Sequence, residues 1–228
     1  LRLVYIEERS DEMCGIFGII TPKSDAPQIT FNGLLDIEYR GYDSWGIAVV
    51  ADQISLNKKV GAIGDLDQIN NLPRSKVGIG HTRWATHGGI SEINAHPHFS
   101  TDKSFCLAQN GIVENYQELR SVLAKKGYNF QTETDTEVIV RLIEDEQSSR
   151  ASRTKLKGNS DLKEAIRKAF LELEGRNTII VLTKDGQIIA ARNGSPLVIG
   201  VNNEEVFFSS DTLSFAPYVG NVVIIENG

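Results

Sequence analysis

The chain has 228 residues, of which 40% are hydrophobic and 24% are charged. These values predict one globular domain with a single sizeable core. The formal net charge of −6 argues against nucleic acid or an anionic membrane as a partner, and no apolar run reaches the length of a membrane span. The two cysteines, Cys14 and Cys106, make no disulfide framework, so we expect a cytoplasmic protein.

The first segment, residues 1–13, does not have the pattern of a secretory signal. It carries four acidic side chains and lacks a positive region followed by an apolar one. Met13, the only methionine, stands directly before Cys14. We expect residues 1–13 to be a leader, either a start assigned too early or a propeptide removed on maturation. Residues 14–228 then form the functional domain.

Cys14 is the strongest candidate nucleophile. A cysteine at a free amino terminus carries an amine that titrates near about 7.7–8.0 and a thiol near about 8.5. Close to neutral pH the amine can therefore accept the thiol's proton. Any residue attached to Cys14 converts the amine into an amide and removes this base. The alternative is a buried structural thiol, which is how we interpret Cys106.

The rest of the chain alternates strand and helix patterns. Short apolar runs predict strands at 16–20, 46–50, 77–81, 105–108, 178–183, 188–192, 197–201, 206–209 and 222–225. Apolar periodicity predicts helices at 31–39, 116–126 and 162–173, and a capping box at Thr134-Asp-Thr-Glu opens another. The polar stretch 147–160 is predicted to be an exposed linker. Many strands with few crossovers indicate an α+β fold of antiparallel sheets covered by helices.

Six short motifs concentrate the reactive and polar side chains. They are Cys14-Gly-Ile-Phe-Gly, Arg40-Gly-Tyr-Asp-Ser-Trp-Gly, Gly80-His-Thr-Arg-Trp-Ala-Thr-His-Gly, Asn94-Ala-His-Pro-His, Asn110-Gly-Ile-Val-Glu-Asn and Thr134-Asp-Thr-Glu. In this order they closely resemble the class II glutamine amidotransferases, over essentially all of 14–228. The likeness is greatest to the glutaminase domain of glutamine:fructose-6-phosphate amidotransferases. The second and third motifs differ from those of the amidophosphoribosyltransferase and asparagine synthetase branches.

The resemblance implies an N-terminal nucleophile hydrolase fold, a four-layer αββα sandwich of two antiparallel sheets. It also implies an activity. Cys14 would attack the side-chain amide of L-glutamine, form a thioester and release ammonia. The ammonia would serve the synthesis of glucosamine 6-phosphate from fructose 6-phosphate in a partner sugar-isomerase domain or subunit.

The resemblance further assigns the oxyanion hole to the Asn110 side-chain amide and the Gly111 backbone N–H. Donors aimed at a developing oxyanion are commonly the largest catalytic contribution. Taken without the resemblance, Asn110-Gly111 is also a dipeptide typical of hairpin turns.

The remaining roles that the resemblance implies concern the substrate. Arg83 would clamp the glutamine carboxylate, with Thr86 and His87 as hydrogen-bonding neighbours, and Asp135 would bind the ammonium. The alternative for Arg83 is a surface charge. Asp135 could also cap the following helix, a role that is compatible with substrate binding.

Two further residues complete the implied site. Trp84 would lie on a loop that closes over the substrate and excludes water, and Arg40 would help to hold the site near the nucleophile.

All four histidines lie within one short stretch, at His81, His87, His96 and His98. Their spacing is not a compact ligand motif, and amide hydrolysis by a thiol needs no metal. We therefore expect neither a metal nor a cofactor.

Three positions depart from the family pattern. Gln109 stands where His is usual, Trp45 where Ala is usual, and Gly175-Arg-Asn-Thr where the stretch is usually small and apolar. None removes a catalytic group, but Trp45 is expected to add volume near the site, and Trp45 and Gln109 could alter the closed state or the rate.

The sugar-isomerase domains of the family have no counterpart in these residues. We expect either a portion of a longer synthase or, preferably, a stand-alone glutaminase serving a separate subunit. The alternatives are a different ammonia acceptor and a non-catalytic regulatory or interaction module that keeps the fold.

Overall fold

The computed structural model describes residues 14–151 and 159–227. The strands in these ranges are β1 (Gly15–Ile20), β2 (Ser44–Val50), β3 (Ile54–Val60), β4 (Val77–Arg83), β5 (His98–Phe99), β6 (Phe105–Gly111), β7 (Asn177–Thr183), β8 (Ile188–Asn193), β9 (Val198–Val201), β10 (Val206–Ser209) and β11 (Asn221–Ile224). The α-helices are α1 (Ala26–Asp36), α2 (Tyr116–Lys125), α3 (Asp135–Ala151) and α4 (Asn159–Leu171). The leader prediction for residues 1–13 lies outside the described residues.

The strands form two sheets. The larger has the order β11-β9-β10-β1-β4-β2-β3, and the smaller has the order β5-β6-β7-β8. Neighbouring strands within the described ranges pair antiparallel. The central position of β1 in the larger sheet places Cys14, the residue before it, among the ends of several strands.

Alternation along the strands builds three apolar layers. Phe17 faces the layer under α1, whereas its neighbour Ile16 faces the layer between the two sheets. On β6, Leu107 faces the layer under α3, whereas Ala108 faces the layer between the sheets. Helix, sheet, sheet and helix thus follow one another, which confirms the predicted α+β, αββα sandwich.

Each of the nine predicted strand runs coincides with an observed strand to within three residues at either end. Strands β3 and β5 were not predicted. β3 carries Lys58 and Lys59 in its second half and lies at the edge of the larger sheet, where lysines discourage pairing with other chains. β5 has two residues, which is too short to show a periodicity.

The helix predictions need two corrections. The predicted helix 31–39 instead runs over Ala26–Asp36, because Pro27 is favourable in a first helical turn. The predicted linker 147–160 is wrong at both ends, since α3 continues to Ala151 and α4 begins at Asn159. Polar residues extend a packed helix readily, because propagation costs less than nucleation. Residues 152–158 lie outside the described ranges.

No helix in the described part of the chain combines the length and the apolar character that a bilayer crossing requires.

Trp45 lies in the core rather than in the site. Its side chain is 1% exposed and makes an edge-to-face contact with Phe31 of α1, with ring centroids 5.8 Å apart. It pairs with Thr82 of β4, and its indole packs with Phe31 and Leu34 of α1. The extra volume at this position therefore fills the layer under α1.

We expect Trp45→Ala to lower the free energy of unfolding by about 3–5 kcal/mol, because it leaves a cavity in this layer. Chemical denaturation of the variant measures the loss. Trp45→Phe is the matched control and should lose much less, since the indole Nε1 is buried without a hydrogen-bond partner among the described residues. Equal stability of Trp45→Ala and the parent chain would contradict this packing.

Candidate active site

Cys14 lies against the end of β4. The pairing of Gly15 with Thr82 brings the Cys14 side chain beside Trp84. The Trp84 backbone N–H donates to Cys14 Sγ at 3.3 Å, and Sγ lies 3.5 Å from the Trp84 carbonyl oxygen. Burial raises the pKa of the thiol to about 11, and the Trp84 N–H and the Arg83 charge only partly offset this rise. The sulfur therefore needs a base to react near neutral pH.

Two side chains hold the Cys14 carbonyl oxygen. Asn110 Nδ2 donates to it at 2.8 Å and Arg40 Nε at 3.3 Å. Arg40 ends a short 3-10 helix, Glu38–Arg40, and its Nη1 lies 3.8 Å from Asp211 Oδ2. Arg40 is thus placed beside the nucleophile and restrains its main chain.

Asn110 and Gly111 end β6 and do not form a hairpin turn. They pair with Thr178 and Asn177 of β7, so the hairpin alternative is wrong. Gly111 has a φ of 117°, and a Cβ atom there would lie 1.9 Å from the Arg176 carbonyl oxygen. Only glycine fits this position.

The Asn110 amide is positioned to serve two acceptors. Its NH2 group has two N–H donors, of which one bonds to the Cys14 carbonyl oxygen. In the described part of the chain no second acceptor bonds to this group. Gly111 and Cys14 line the same two cavities, which suits a pair of donors for one oxyanion.

Arg83 is buried, with 3% exposure, so the surface-charge alternative is wrong. Its Nη2 donates to the carbonyl oxygens of His87 at 2.5 Å and Gly88 at 3.2 Å, and its Nη1 donates to that of Gly89 at 3.2 Å. A guanidinium has five N–H donors, so two remain for a ligand. Arg83 thereby ties the segment 87–89 to the end of β4.

Asp135 is the first residue of α3 and is 4% exposed. The helix cap is Thr134, whose Oγ1 accepts from the Glu137 N–H at 3.3 Å, whereas Asp135 Oδ2 accepts from the Val113 N–H at 2.9 Å. The cap alternative for Asp135 is therefore wrong. Burial raises the pKa of this carboxyl, and the Val113 N–H and the nearby His87 oppose the rise.

No cation among the described residues lies within 4.0 Å of the Asp135 carboxylate. A buried carboxylate without a counter-charge is costly, so the site is complementary to a ligand that carries a positive charge.

Trp84 begins the loop that follows β4. Its ring contacts Tyr42 edge to face, with centroids 5.1 Å apart. The next residue, Ala85, donates its N–H to Asp43 Oδ2 at 2.9 Å. The Arg40-Gly-Tyr-Asp motif thus supports the loop, and Asp43 is a supporting residue that sequence reasoning did not single out.

Two cavities meet at Cys14, and Trp84, Thr86 and Gly111 line both. The inner cavity, of about 10 Å³, also has Arg83, His87 and Asp135 in its wall. The outer cavity, of about 250 Å³, adds Ile112, Glu114, Arg176 and Ser195.

The four histidines do not share one centre. The His96 ring contacts those of His81 and His98, with centroids 4.2 and 4.8 Å apart, whereas the His87 ring contacts Tyr116. Burial lowers the pKa of His81 to about 3 and those of His96 and His98 well below the usual value. These three rings are therefore neutral near pH 7. In the described ranges no group of three or more His, Cys, Asp or Glu side chains is arranged to hold a metal ion.

The structure brings all the predicted site residues together around Cys14. Asn110, Gly111, Arg83 and Asp135 converge from different strands and helices, and Trp84, Thr86, His87 and Arg40 surround them. Sequence reasoning assigned no role to Val113 or to Thr136. Val113 contributes its backbone N–H to Asp135, and the Thr136 hydroxyl bonds to His96 and Gln109.

Comparisons with known proteins agree with this geometry. Residues 81–216 match the family model described as a glutamine amidotransferase domain. The glutamine–fructose-6-phosphate aminotransferase (isomerizing) of Corynebacterium glutamicum is 44% identical over an alignment of 226 positions that covers 94% of this chain and 35% of that protein. The protein of the same name from Methanococcus maripaludis is 41% identical, over 90% of this chain and 34% of its own length.

A solved structure has the same fold. The glutamine phosphoribosylpyrophosphate amidotransferase of B. subtilis superposes with a TM-score of 0.74 at 30% identity, covering 89% of this chain and 43% of that one. The chain spans about a third of the length of its curated relatives. The motifs, the fold and these matches together show that the chain belongs to the glutamine amidotransferase family and has the class II, N-terminal nucleophile fold.

Proposed function

We propose that this chain hydrolyses L-glutamine to glutamate and ammonia with Cys14 as an N-terminal nucleophile. The observation that carries the proposal is the meeting of Cys14 and Gly111 at one cavity whose wall also holds Arg83 and Asp135, with the Asn110 amide bonded to the Cys14 carbonyl oxygen. A nucleophile, oxyanion donors and two opposite charges are what amide hydrolysis of a free amino acid requires.

The reaction begins with proton transfer from the thiol to the α-amine of Cys14, once residues 1–13 have been removed. The sulfur then bonds to the side-chain carbonyl carbon, and the oxyanion accepts from Asn110 Nδ2 and the Gly111 N–H. The α-ammonium returns its proton to the leaving nitrogen, the C–N bond breaks and ammonia departs. Water then hydrolyses the thioester, with the amine again acting as the base.

Burial of the sulfur supports the role of the amine. The thiol pKa of about 11 leaves little thiolate at pH 7. The three buried histidines are neutral, and their Nε2 atoms bond to Gln109, Thr136 and Thr134 rather than to sulfur. An α-amine on the same residue is the base that can reach Sγ without a further side chain.

Recognition of the substrate uses the two opposite charges of free glutamine. Its carboxylate pairs with the two free N–H donors of Arg83, and its ammonium pairs with Asp135. Thr86 and His87 supply neighbouring polar groups, and Trp84 covers the ligand. Burial makes these contacts stronger than they would be at the surface.

We expect Asp135→Asn to raise KM for glutamine on the order of 10- to 100-fold, because an amide cannot pair with an ammonium in a buried site. The folded chain should keep its stability, since Asn retains an oxygen for the Val113 N–H. Steady-state kinetics give KM, and thermal unfolding gives stability. Asp52→Asn, in the exposed turn after β2, is the control. An unchanged KM would remove Asp135 from substrate binding.

The ammonia acceptor is inferred from the names of the relatives, which are fructose-6-phosphate aminotransferases. We propose a sugar-isomerase domain or subunit that binds fructose 6-phosphate as the partner, and a cytoplasmic location. The chain by itself should not aminate the sugar.

A glutaminase assay tests the function directly. Protein that begins at Cys14 should release glutamate and ammonia in equal amounts, and Cys14→Ala should release neither. Absence of turnover by the first protein would favour the non-catalytic module. Glucosamine 6-phosphate formed from fructose 6-phosphate by the chain alone would contradict the need for a partner.

A further inference from the structure

The side chain of Gln109 lies behind the oxyanion donors. Gln109 precedes Asn110 on β6 and is 1% exposed. Successive side chains on a strand point to opposite faces, so Gln109 shares the face of Leu107, which packs under α3, whereas Asn110 faces the nucleophile. Gln109 is therefore buried among the supports of the site, and it also lines the inner cavity with Cys14, Arg83 and Asp135.

Both ends of the Gln109 amide are bonded. Oε1 accepts from Thr136 Oγ1 at 2.5 Å, and Nε2 donates to Asn177 Oδ1 at 2.7 Å. Thr136 follows Asp135 in the first turn of α3, and Asn177 opens β7 opposite Gly111. One side chain thus joins the segment of the oxyanion donors, the segment of the ammonium-binding carboxylate and the strand that supports Gly111.

The hydrogen bonds around Gln109 form a closed ring with one consistent direction. The Gln109 N–H points to His96 Nδ1 at 3.5 Å, and His96 Nε2 lies 3.0 Å from Thr136 Oγ1. A neutral imidazole carries one N–H, and His96 Nδ1 is the acceptor for Gln109, so the proton of His96 is on Nε2. His96 Nε2 therefore donates to Thr136 Oγ1. The Thr136 hydroxyl then donates to Gln109 Oε1, which closes the ring. The Gln109 carbonyl accepts from His81 Nε2 at 2.9 Å.

We propose that Gln109 and Asn177 act together as positioning residues for glutamine hydrolysis, holding Asn110, Gly111 and Asp135 in register with Cys14. This inference rests on the proposed function. A shift of about 1 Å in groups that bind the transition state can cost on the order of 100-fold in rate. Because the Gln109 amide is bonded at its two ends to Thr136 and Asn177, the effect of the pair is transmitted through the residues it holds.

A double-mutant cycle tests the pairing on protein that begins at Cys14. Gln109→Leu and Asn177→Ala should each lower kcat/KM for glutamine on the order of 10- to 100-fold, and the double variant should lose no more than the worse single one. Gln28→Leu, exposed on α1, is the matched control and should change nothing. Losses that multiply in the double variant would show that the two residues act independently, and would overturn the proposal.

Two further measurements separate positioning from general destabilisation. Alkylation of Cys14 by iodoacetamide, followed by peptide mapping, needs neither the oxyanion donors nor Asp135, so its rate should stay within twofold in Gln109→Leu. Hydrogen exchange of the Val113 N–H, which donates to Asp135, should become at least tenfold faster in Gln109→Leu and stay unchanged in Gln28→Leu.

The outcomes distinguish this inference from the proposed function. If the parent protein does not turn over glutamine, the proposed function fails, and the exchange of Val113 alone decides the positioning role. If the parent turns over glutamine and Gln109→Leu does so equally well, the positioning role fails while the function stands. Unchanged Val113 exchange overturns the positioning role in either case.

Discussion

Protein that retains residues 1–13 should hydrolyse glutamine at least about 100-fold more slowly than protein that begins at Cys14, because general-base catalysis commonly contributes 10²–10⁴-fold. Acylation of the Cys14 nitrogen removes the base, and burial keeps the thiol protonated with a pKa of about 11. Glutamate release by the two proteins, each confirmed by intact mass, measures the difference.

The pH profile of the shorter protein provides a second test. The amine must be unprotonated to accept the proton, so kcat/KM should rise with pH up to about 8, near the ordinary pKa of an α-amine. Cys14→Ala from the same start is the control for background hydrolysis. Equal activity with and without residues 1–13 would exclude the amine as the base and would also remove the need for a maturation step.

Asn110→Ala should lower kcat on the order of 10²–10³-fold, the usual loss when one oxyanion donor is removed. KM should change little, because the donor acts on charge that develops in the transition state. Asn110 also holds the Cys14 carbonyl oxygen, so part of the loss reflects a less restrained nucleophile. Stopped-time assays of glutamate release at saturating glutamine measure kcat.

Asn71→Ala serves as the control, since its amide bonds to Asn57 away from Cys14. A loss confined to KM in Asn110→Ala would place this amide in substrate binding rather than in the oxyanion hole. Thermal unfolding of both variants shows whether the loss of activity exceeds any loss of folded protein.

Most of the fold could be predicted from the sequence. Strands with one buried face alternate apolar and polar residues, and strands with both faces buried are continuous apolar runs. β7 is buried along its whole length and was recognised from its apolar run. Periodicity could not assign the order of the strands. β1 pairs with both β4 and β10, which are far from it in sequence, and this pairing depends on tertiary packing. Trp45 was misplaced for the same reason, since closeness to a motif along the chain does not fix the face of a strand.

The site was predictable where a residue acts through a distinctive side chain in a distinctive motif, as Cys14, Arg83 and Asn110 do. Their chemical roles stay predictions until the variants above are measured. The supports were not predictable, because Val113 contributes only a backbone N–H and Gln109 acts through partners on other elements. Such contacts leave no local pattern, since they exist only after the strands and α3 have packed.

The hydrogen bonds of Arg83 to the segment 87–89 affect the binding of a ligand in the site. Its guanidinium already bonds to three carbonyl oxygens of the segment 87–89, and the same group is available to an incoming carboxylate. Under the proposed recognition of glutamine, ordering of that segment and occupancy by the substrate carboxylate would be coupled equilibria, and each would shift the other to the same extent. A solute that carries a carboxylate but no scissile amide, such as the product glutamate, would hold the segment in place and delay the next turnover.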